Sequence, residues 1–569
     1  RRDGGMDGNL QFSTVQSNRI AGYTPSGRIG IRTGRWTLTA SGSGSFTPVA
    51  ESRFTETREQ AGQPLPFAGR SDSKSRTNYG RGHFSAVFDP TPKHTAGFDI
   101  EYTERSTHMP TLSRTTLGQT QSDSRYRQHM DGNTLTATAN YIWKIDTLGS
   151  QFKLIADYTR YTSDGDNSYH TTTCAPGTLR DSLYESATGS VYDILTADAG
   201  LTRKLPHGLT LRAGLRYTRN DMADKSRYAA QTQGTWLALP EYSYDQHYTE
   251  QIGAAYASLE YSAGRWELSA GLRGEYTSVA SQAFGRSYFG LFPNVSVSRA
   301  LNALRTGLLV AQWSRNIERP AFPALNPARI RISDYSWQSG NPSLRPTYIH
   351  RFSLTAVWKY RYTLTVGGNL HHDLIREIAH RDATAPDAVY IRPENHYTEN
   401  HWFVAASVPA KITRWWNLSV NAVGVMQRIR LNSTDSPATH YLMFADATCS
   451  FTLPAGFFAE AVYRAQSRLY SGNSEVGPRH TLSATVKKQL FGKRLTLFCT
   501  LSNITGCDWE FASLTDGMRR TIDTGQAWSG RLWKVGAAWN FRTGKKFRAR
   551  TVESAAETQR KRLVKSTEQ

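Results

Sequence analysis

No apolar run in the chain approaches the roughly 20 residues that a helix needs to cross a bilayer, so helical membrane spans are excluded. Only four cysteines occur, Cys174, Cys449, Cys499 and Cys507, and none forms a C-x-x-C pair. That spacing excludes a disulfide framework and reads as isolated thiols or one incidental bridge. Apolar residues make up 38% of the 569, below the roughly 45–50% of ordinary soluble domains. Length alone suggests several domains, but this share is too small for several soluble cores. The chain opens Arg1-Arg2-Asp3 with neither Met nor an apolar segment, so any export signal is expected to have been removed or to lie outside this sequence. No nucleophile elbow, zinc-protease motif, P-loop or dinucleotide fingerprint is present, so nothing points to an enzyme or a cofactor.

Aromatic residues, at 11%, are plentiful, and strict alternation recurs along the chain. Leu209, Leu211, Ala213, Leu215 and Tyr217 alternate with Thr210, Arg212, Gly214, Arg216 and Thr218. Trp266, Leu268, Ala270, Leu272 and Tyr276 belong to a second such run, with Glu267, Arg273 and Glu275 on its other face. Similar patterns cover 152–159 and 351–359. Period two gives one apolar and one polar face, and several runs reach the length of a tilted membrane strand. Tight turns are expected at 33–35, 89–94, 146–150, 205–208, 263–264, 300–303, 360–361, 410–413, 454–456 and 492–493. Long polar segments such as 47–81 and 163–190 separate them and read as loops. Short turns on one side and long loops on the other are the asymmetry of outer-membrane barrels.

The reading is therefore an all-β, transmembrane, antiparallel up-and-down barrel of about 22 strands, with short periplasmic turns and long extracellular loops. Strands are expected to begin near Gly8 and to end with 531–541. Trp36, Trp143, Phe152, Tyr261, Trp266, Trp358, Trp415, Trp416 and Phe457 lie beside the turns, as an interfacial aromatic girdle would. If the apolar face meets lipid, Arg212, Arg216, Glu267, Arg273 and Glu275 are candidate lumen charges.

The segment Arg319-Pro320-Ala321-Phe322-Pro323-Ala324-Leu325-Asn326-Pro327 followed by Gly340-Asn341-Pro342-Ser343-Leu344-Arg345-Pro346 is distinctive. Its five prolines forbid a central strand and pre-set turns, so an ordered connection is expected. The pattern resembles the RP…LNP…GNP-x-L-x-P signature of TonB-dependent outer-membrane receptors, in particular their Bacteroidetes-type branch. The stretch 532–541 looks like the C-terminal insertion signal of such barrels. The resemblance implies a 22-stranded barrel with an N-terminal plug, energised by the TonB complex. It also implies uptake of a scarce bulky ligand: a siderophore, haem, a vitamin, a glycan or a peptide. The motif residues Arg319, Pro320, Leu325, Asn326, Pro327, Gly340, Asn341, Pro342, Leu344 and Pro346 would shape the outer vestibule.

On this reading residues 1–8 are the junction from a plug absent from the sequence, 9–541 the barrel and 542–569 a basic periplasmic tail. The alternatives are a scaffold or adhesin barrel partnered with a surface lipoprotein, and a passive pore. The formal charge of +21 comes from basic residues scattered along the chain, so nucleic acid is not an expected partner. Outer-membrane lipid, lipopolysaccharide phosphates or an anionic ligand facing Arg212, Arg216 and Arg273 are. The tail, with nine Lys and Arg against three Glu, is expected to be solvated chain. His371 and Asp373 share a strand face, but no third ligand completes a metal site.

Overall fold

Alternating sequences can bury either face, and here the apolar one points outward. The computed structural model describes residues 4–282, 285–383, 385, 387–506, 508–545, 547 and 551–563. Twenty-two antiparallel strands close into one barrel. The first, Gly5–Gln16, pairs with Ile20–Thr33 on one side and with the last, Leu532–Gly544, on the other. Gly5 lies opposite Gly544 and Gln16 opposite Trp533, so the seam leaves no open edge. The expected first and last strands are thus present, each a few residues longer than the pattern suggested.

All ten expected tight turns join wall strands, and all lie at one end of the barrel. The connections at the other end depart from the sequence reading. Residues 47–81 are not a loop: Trp36–Gln60 and Gln63–Phe88 stay paired up to a two-residue turn at Ala61 and Gly62, with φ of 50° and 76°. A left-handed pair of this kind matches the twist of the flanking strands. Residues 163–190 likewise pair from Ser163 opposite Ser190 to Ala175 opposite Thr178. A strand crosses the bilayer in about 9–11 residues, so strands of 25 to 27 continue well above it as ribbons. The pattern missed them because water accepts polar residues on both faces. Hydrogen bonding between strands persists there, while the apolar alternation that signals a strand does not.

Within the wall, Leu215, Leu272 and Leu354 are 64%, 49% and 49% exposed, whereas Thr218 and Thr277 on the opposite faces of the same strands are buried. The same sense holds for Leu154 and Leu211. Trp36, Trp143, Tyr261, Trp266, Trp358, Trp415 and Phe457 are exposed around the short-turn rim, while Phe152 and Trp416 are half-buried. Cys174, Cys449 and Cys499 are free thiols, and Cys507 lies outside the described residues.

Leu272 stands six positions beyond Trp266 on an outward face, near the middle of the apolar band. Leu272→Arg is expected to destabilise the barrel by about 2–4 kcal/mol, the cost of a cation facing mid-bilayer lipid. Urea unfolding in lipid vesicles measures it, and an unchanged midpoint would mean that this face does not touch lipid.

Candidate functional site in the barrel lumen

One connection at the ribbon end is not a ribbon. Between Leu308–Glu318 and Thr347–Trp358 the proline-rich segment folds into the barrel. Its prolines remove amide donors that a sheet would need, and a single helical turn forms at Phe322–Leu325. Phe322, Leu325 and Leu344 are buried in one apolar cluster with Tyr192, Ile194, Met222, Tyr248 and Val279 of the inner wall. Pro320 and Pro346 are buried, and Pro327 is half-buried.

The other motif residues have specific jobs in this turn structure. The Asn326 side chain accepts from the Ala328 amide at 2.9 Å and the Tyr244 hydroxyl at 2.6 Å, and it donates to Asp224 at 3.0 Å. The Gly340 amide donates to the Asn326 carbonyl at 2.9 Å. A Cβ at Gly340 would lie 2.1 Å from that oxygen, so only glycine permits the approach. The Asn341 amide donates to Ala324, its side-chain nitrogen donates to the Pro393 carbonyl, and its oxygen accepts from Ser343. Pro342, half-buried between Asn341 and Ser343, adds its fixed φ to that turn.

Beyond Asn326 the segment travels around the lumen. Asp334 accepts from Tyr126 at 2.9 Å, from Thr171 at 3.0 Å and from Ser124, and pairs with Arg331. Residues Ser336–Gln338 add a short parallel pairing to Val389–Ile391 of the wall. Ser336 accepts from Arg520 at 3.0 Å, and Arg520 pairs with Glu56 at 2.8 Å. Glu56 also holds Arg58, which reaches the Asp387 and Tyr335 carbonyls. These groups lie on the ribbons above the membrane band. Burial alone would raise the Glu56 carboxyl, but Arg520 and Arg58 outweigh it and hold the group below the usual range.

The charges flagged by alternation are in ion pairs. Arg216 meets Asp198 at 2.7 Å, Arg273 meets Glu275 at 2.5 Å, and Arg212 meets Glu260. Glu275 also receives Arg319 at 2.7 Å, which ties the start of the proline-rich segment to the wall. Glu267 is separate: it pairs with Arg305 at 2.9 Å on the exposed short-turn rim. Glu250 and Asn220, which alternation did not single out, are fully buried beside this group.

The tail differs most from expectation. Residues 551–563 are not solvated periplasmic chain but lie against the inner wall. The Ala555 amide donates to Asp157 at 2.7 Å, and Glu553 pairs with Lys153 at 2.7 Å. Arg562, 6% exposed, pairs with Glu250 at 2.5 Å, donates to the Pro320 carbonyl at 2.9 Å and covers the Phe322 ring at 4.2 Å. Leu563 packs on the apolar cluster. A run of like charges repels itself in water, yet here two segments far from the tail in sequence supply a carboxylate, a carbonyl and a ring to one cation. No local pattern announces that.

His371 and Asp373 do not come together as a pair of ligands. Asp373 takes a left-handed conformation, φ 57°, and binds Arg345 at 2.6 Å. The His371 imidazole instead contacts the Glu399 carbonyl at 2.7 Å. Buried Glu399 accepts from Arg376 at 2.9 Å and from Gln427 at 2.8 Å, and His401 lies at 2.8 Å. Among the described residues no group of His, Cys, Asp and Glu has the arrangement of a metal site.

Arg562→Ala removes the nearest cation from buried Glu250, leaving Arg319 at 3.9 Å and the Asn220 amide; breaking a buried pair costs up to about 3–5 kcal/mol. The tail should then leave the wall and become cleavable by trypsin at Arg560 and Lys561, with the barrel intact on gels. Protection equal to the parent would refute the anchor. Glu56 gives a pH dependence of definite sign. Its folded carboxyl is held low, so its contribution is complete above the ordinary value of 4.5 and is lost as pH falls below it. Acid should speed hydrogen exchange at 334–338, and Glu56→Gln should make that exchange fast at neutral pH too.

The matches to known proteins agree with this architecture. The family model described as outer membrane protein beta-barrel family matches residues 143–535, more than half of the chain. No curated protein matches. Among solved structures, the siderophore receptor PirA from Pseudomonas aeruginosa superposes with a TM-score of 0.55 at 13% identity, covering 95% of this chain and 80% of that one. A mutant of the ferric enterobactin receptor PfeA from Pseudomonas aeruginosa gives 0.59 at 14%, covering 94% and 80%. The copper transporter OprC gives 0.58 at 12%, covering 94% and 82%. At such identities the superpositions establish a shared fold. The closed 22-strand wall, its outward apolar face and the family match together place the chain in the outer membrane protein β-barrel family, a protein of the Gram-negative outer membrane.

Proposed function

We propose that the chain is the barrel of a TonB-dependent receptor of the Bacteroidetes-type branch that takes up a scarce, bulky ligand. The transport barrel is then residues 5–544, a little wider than the expected 9–541, and the described tail residues 551–563 return along its inner wall. The observation that carries the reading is the proline-rich segment, folded inward and tied to Glu275 at one end and to Arg520 and Val389–Ile391 at the other. A wall of this size encloses more space than side chains fill, and the segment together with the tail occupies part of it. An ordered element held inside the wall by ion pairs suits energised uptake, in which such an element is moved, better than a passive pore. The barrel does no chemistry on its cargo. Where its charges are paired, as at Arg212, Arg216 and Arg273, the wall is polar without holding a solute tightly.

The ligand is of the class that such receptors gather: a siderophore, haem, a vitamin, a glycan or a peptide. The two receptors among the similar structures are described for siderophore or ferric enterobactin, and the third as a copper transporter. Partners on this reading are the plug, the TonB complex, outer-membrane lipid with lipopolysaccharide, and a surface lipoprotein seated on the ribbons. One observation favours a scaffold as the second reading: the paired ribbons reach well above the membrane and offer a tall docking surface.

The test uses the native full-length protein in its own cells. Uptake should stop when the proton-motive force is collapsed and when the TonB complex is deleted. Stoichiometric co-purification of a lipoprotein with no energy dependence would support the scaffold and overturn the receptor. A large steady conductance in planar bilayers would overturn it in favour of a pore.

A further inference from the structure

A cavity of about 390 Å³ opens on the upper lumen, between the wall and the connection that precedes the final strand. Wall strands Trp416–Arg430, Ala438–Thr452, Phe457–Gln466 and Arg479–Leu490 form one side. They contribute Asn421, Asp446, Arg464 and Arg479, and Asn503, Trp509, Gln526 and Trp528 close the other side. This is the size of a small-molecule site.

Its polar groups differ from the charges lower in the lumen. Arg212, Arg216, Arg273 and Arg319 are in ion pairs, but among the described residues the side chains of Arg464 and Arg479 have neither a hydrogen-bond nor an ion-pair partner. The Arg479 guanidinium lies 4.1 Å over the Trp509 ring, which fixes its plane and leaves its N–H edge free. Arg464 is cross-strand neighbour to Asp446, yet that carboxylate turns the other way and accepts from Asn421 at 2.9 Å. The charged groups lining the cavity are therefore two free cations and one carboxylate engaged by an amide. Beside them are two large apolar faces: Trp528 is 52% exposed and Phe444 37%.

Free planar forks select oxyanions, and bare aromatic faces select a ring. We infer that this cavity is a ligand subsite for a small oxyanion carried on a ring. Arg464 and Arg479 hold the carboxylate, phosphate or sulfonate, and Trp528 with Phe444 holds the ring. The assignment rests on the receptor reading, whose cargo class it narrows.

The experiment uses the full chain in lipid nanodiscs with 1-naphthyl phosphate as the probe, followed by calorimetry. Saturable binding is expected, with displacement by inorganic phosphate. Arg464→Gln and Arg479→Gln should each weaken it about tenfold, the equivalent of about 1.4 kcal/mol. Trp528→Ala should weaken naphthyl phosphate and leave inorganic phosphate unchanged. Neutral 1-naphthol should bind at least about tenfold more weakly. Each variant is checked for the heat-resistant folded band on gels, so that lost binding is read only on folded barrels. Unsaturable binding, full affinity in the double variant, or equal affinity for 1-naphthol would overturn the subsite. If binding fails while energised uptake of the native protein persists, the subsite is wrong and the receptor stands. If binding holds while uptake ignores the proton-motive force, the receptor is wrong and the subsite stands.

Discussion

Everything in this molecule depends on the seam where the first strand meets the last. Lipid offers no hydrogen-bond partner, so every amide and carbonyl at membrane depth must be paired within the chain. Pairing of Gly5–Gln16 with Leu532–Gly544 meets that demand for a sheet that would otherwise have two bare edges. Closure then fixes which way the side chains point. Leucines and aromatics face the hydrocarbon, and threonines, serines and charges face an interior shielded by the wall.

A shielded polar interior sets the second constraint. An uncompensated charge there is costly, and the wall answers with a cross-strand partner, Asp198 for Arg216, and a same-face neighbour two positions along the strand, Glu275 for Arg273. The same rule draws in the proline-rich segment and the tail. Arg319 and Arg562 each bring a cation from outside the wall to Glu275 and Glu250. The lumen is thus organised by electrostatic pairing over a small apolar patch around Phe322, rather than by a hydrophobic core. Arg464 and Arg479, without ion-pair partners among the described residues, line the cavity beside Trp509 and Trp528 instead.

Strand number, turn positions and the outward sense of the apolar face were legible because each is a local, repeated pattern. The turn at 454–456, for instance, is marked by Pro454 and Gly456 next to two alternating runs. The ribbons at 47–81 and 163–190 were not legible, because above the membrane neither face needs to be greasy. For the proline-rich segment the motif indicated order, but not that it folds inward. That direction is set by Asp224, Asp334's partners and Arg520, which come from four different strands.

The sequence by itself determined a membrane barrel of a given size and polarity, since period-two alternation and ten turns are counted residue by residue along the chain. Only the tertiary structure decided what lies inside it. The contacts of Glu250, Arg319, Arg562 and Phe322 join residues up to 312 positions apart. Such meetings depend on barrel curvature and strand stagger, which bring remote positions to one height, and no pattern along a single strand encodes them.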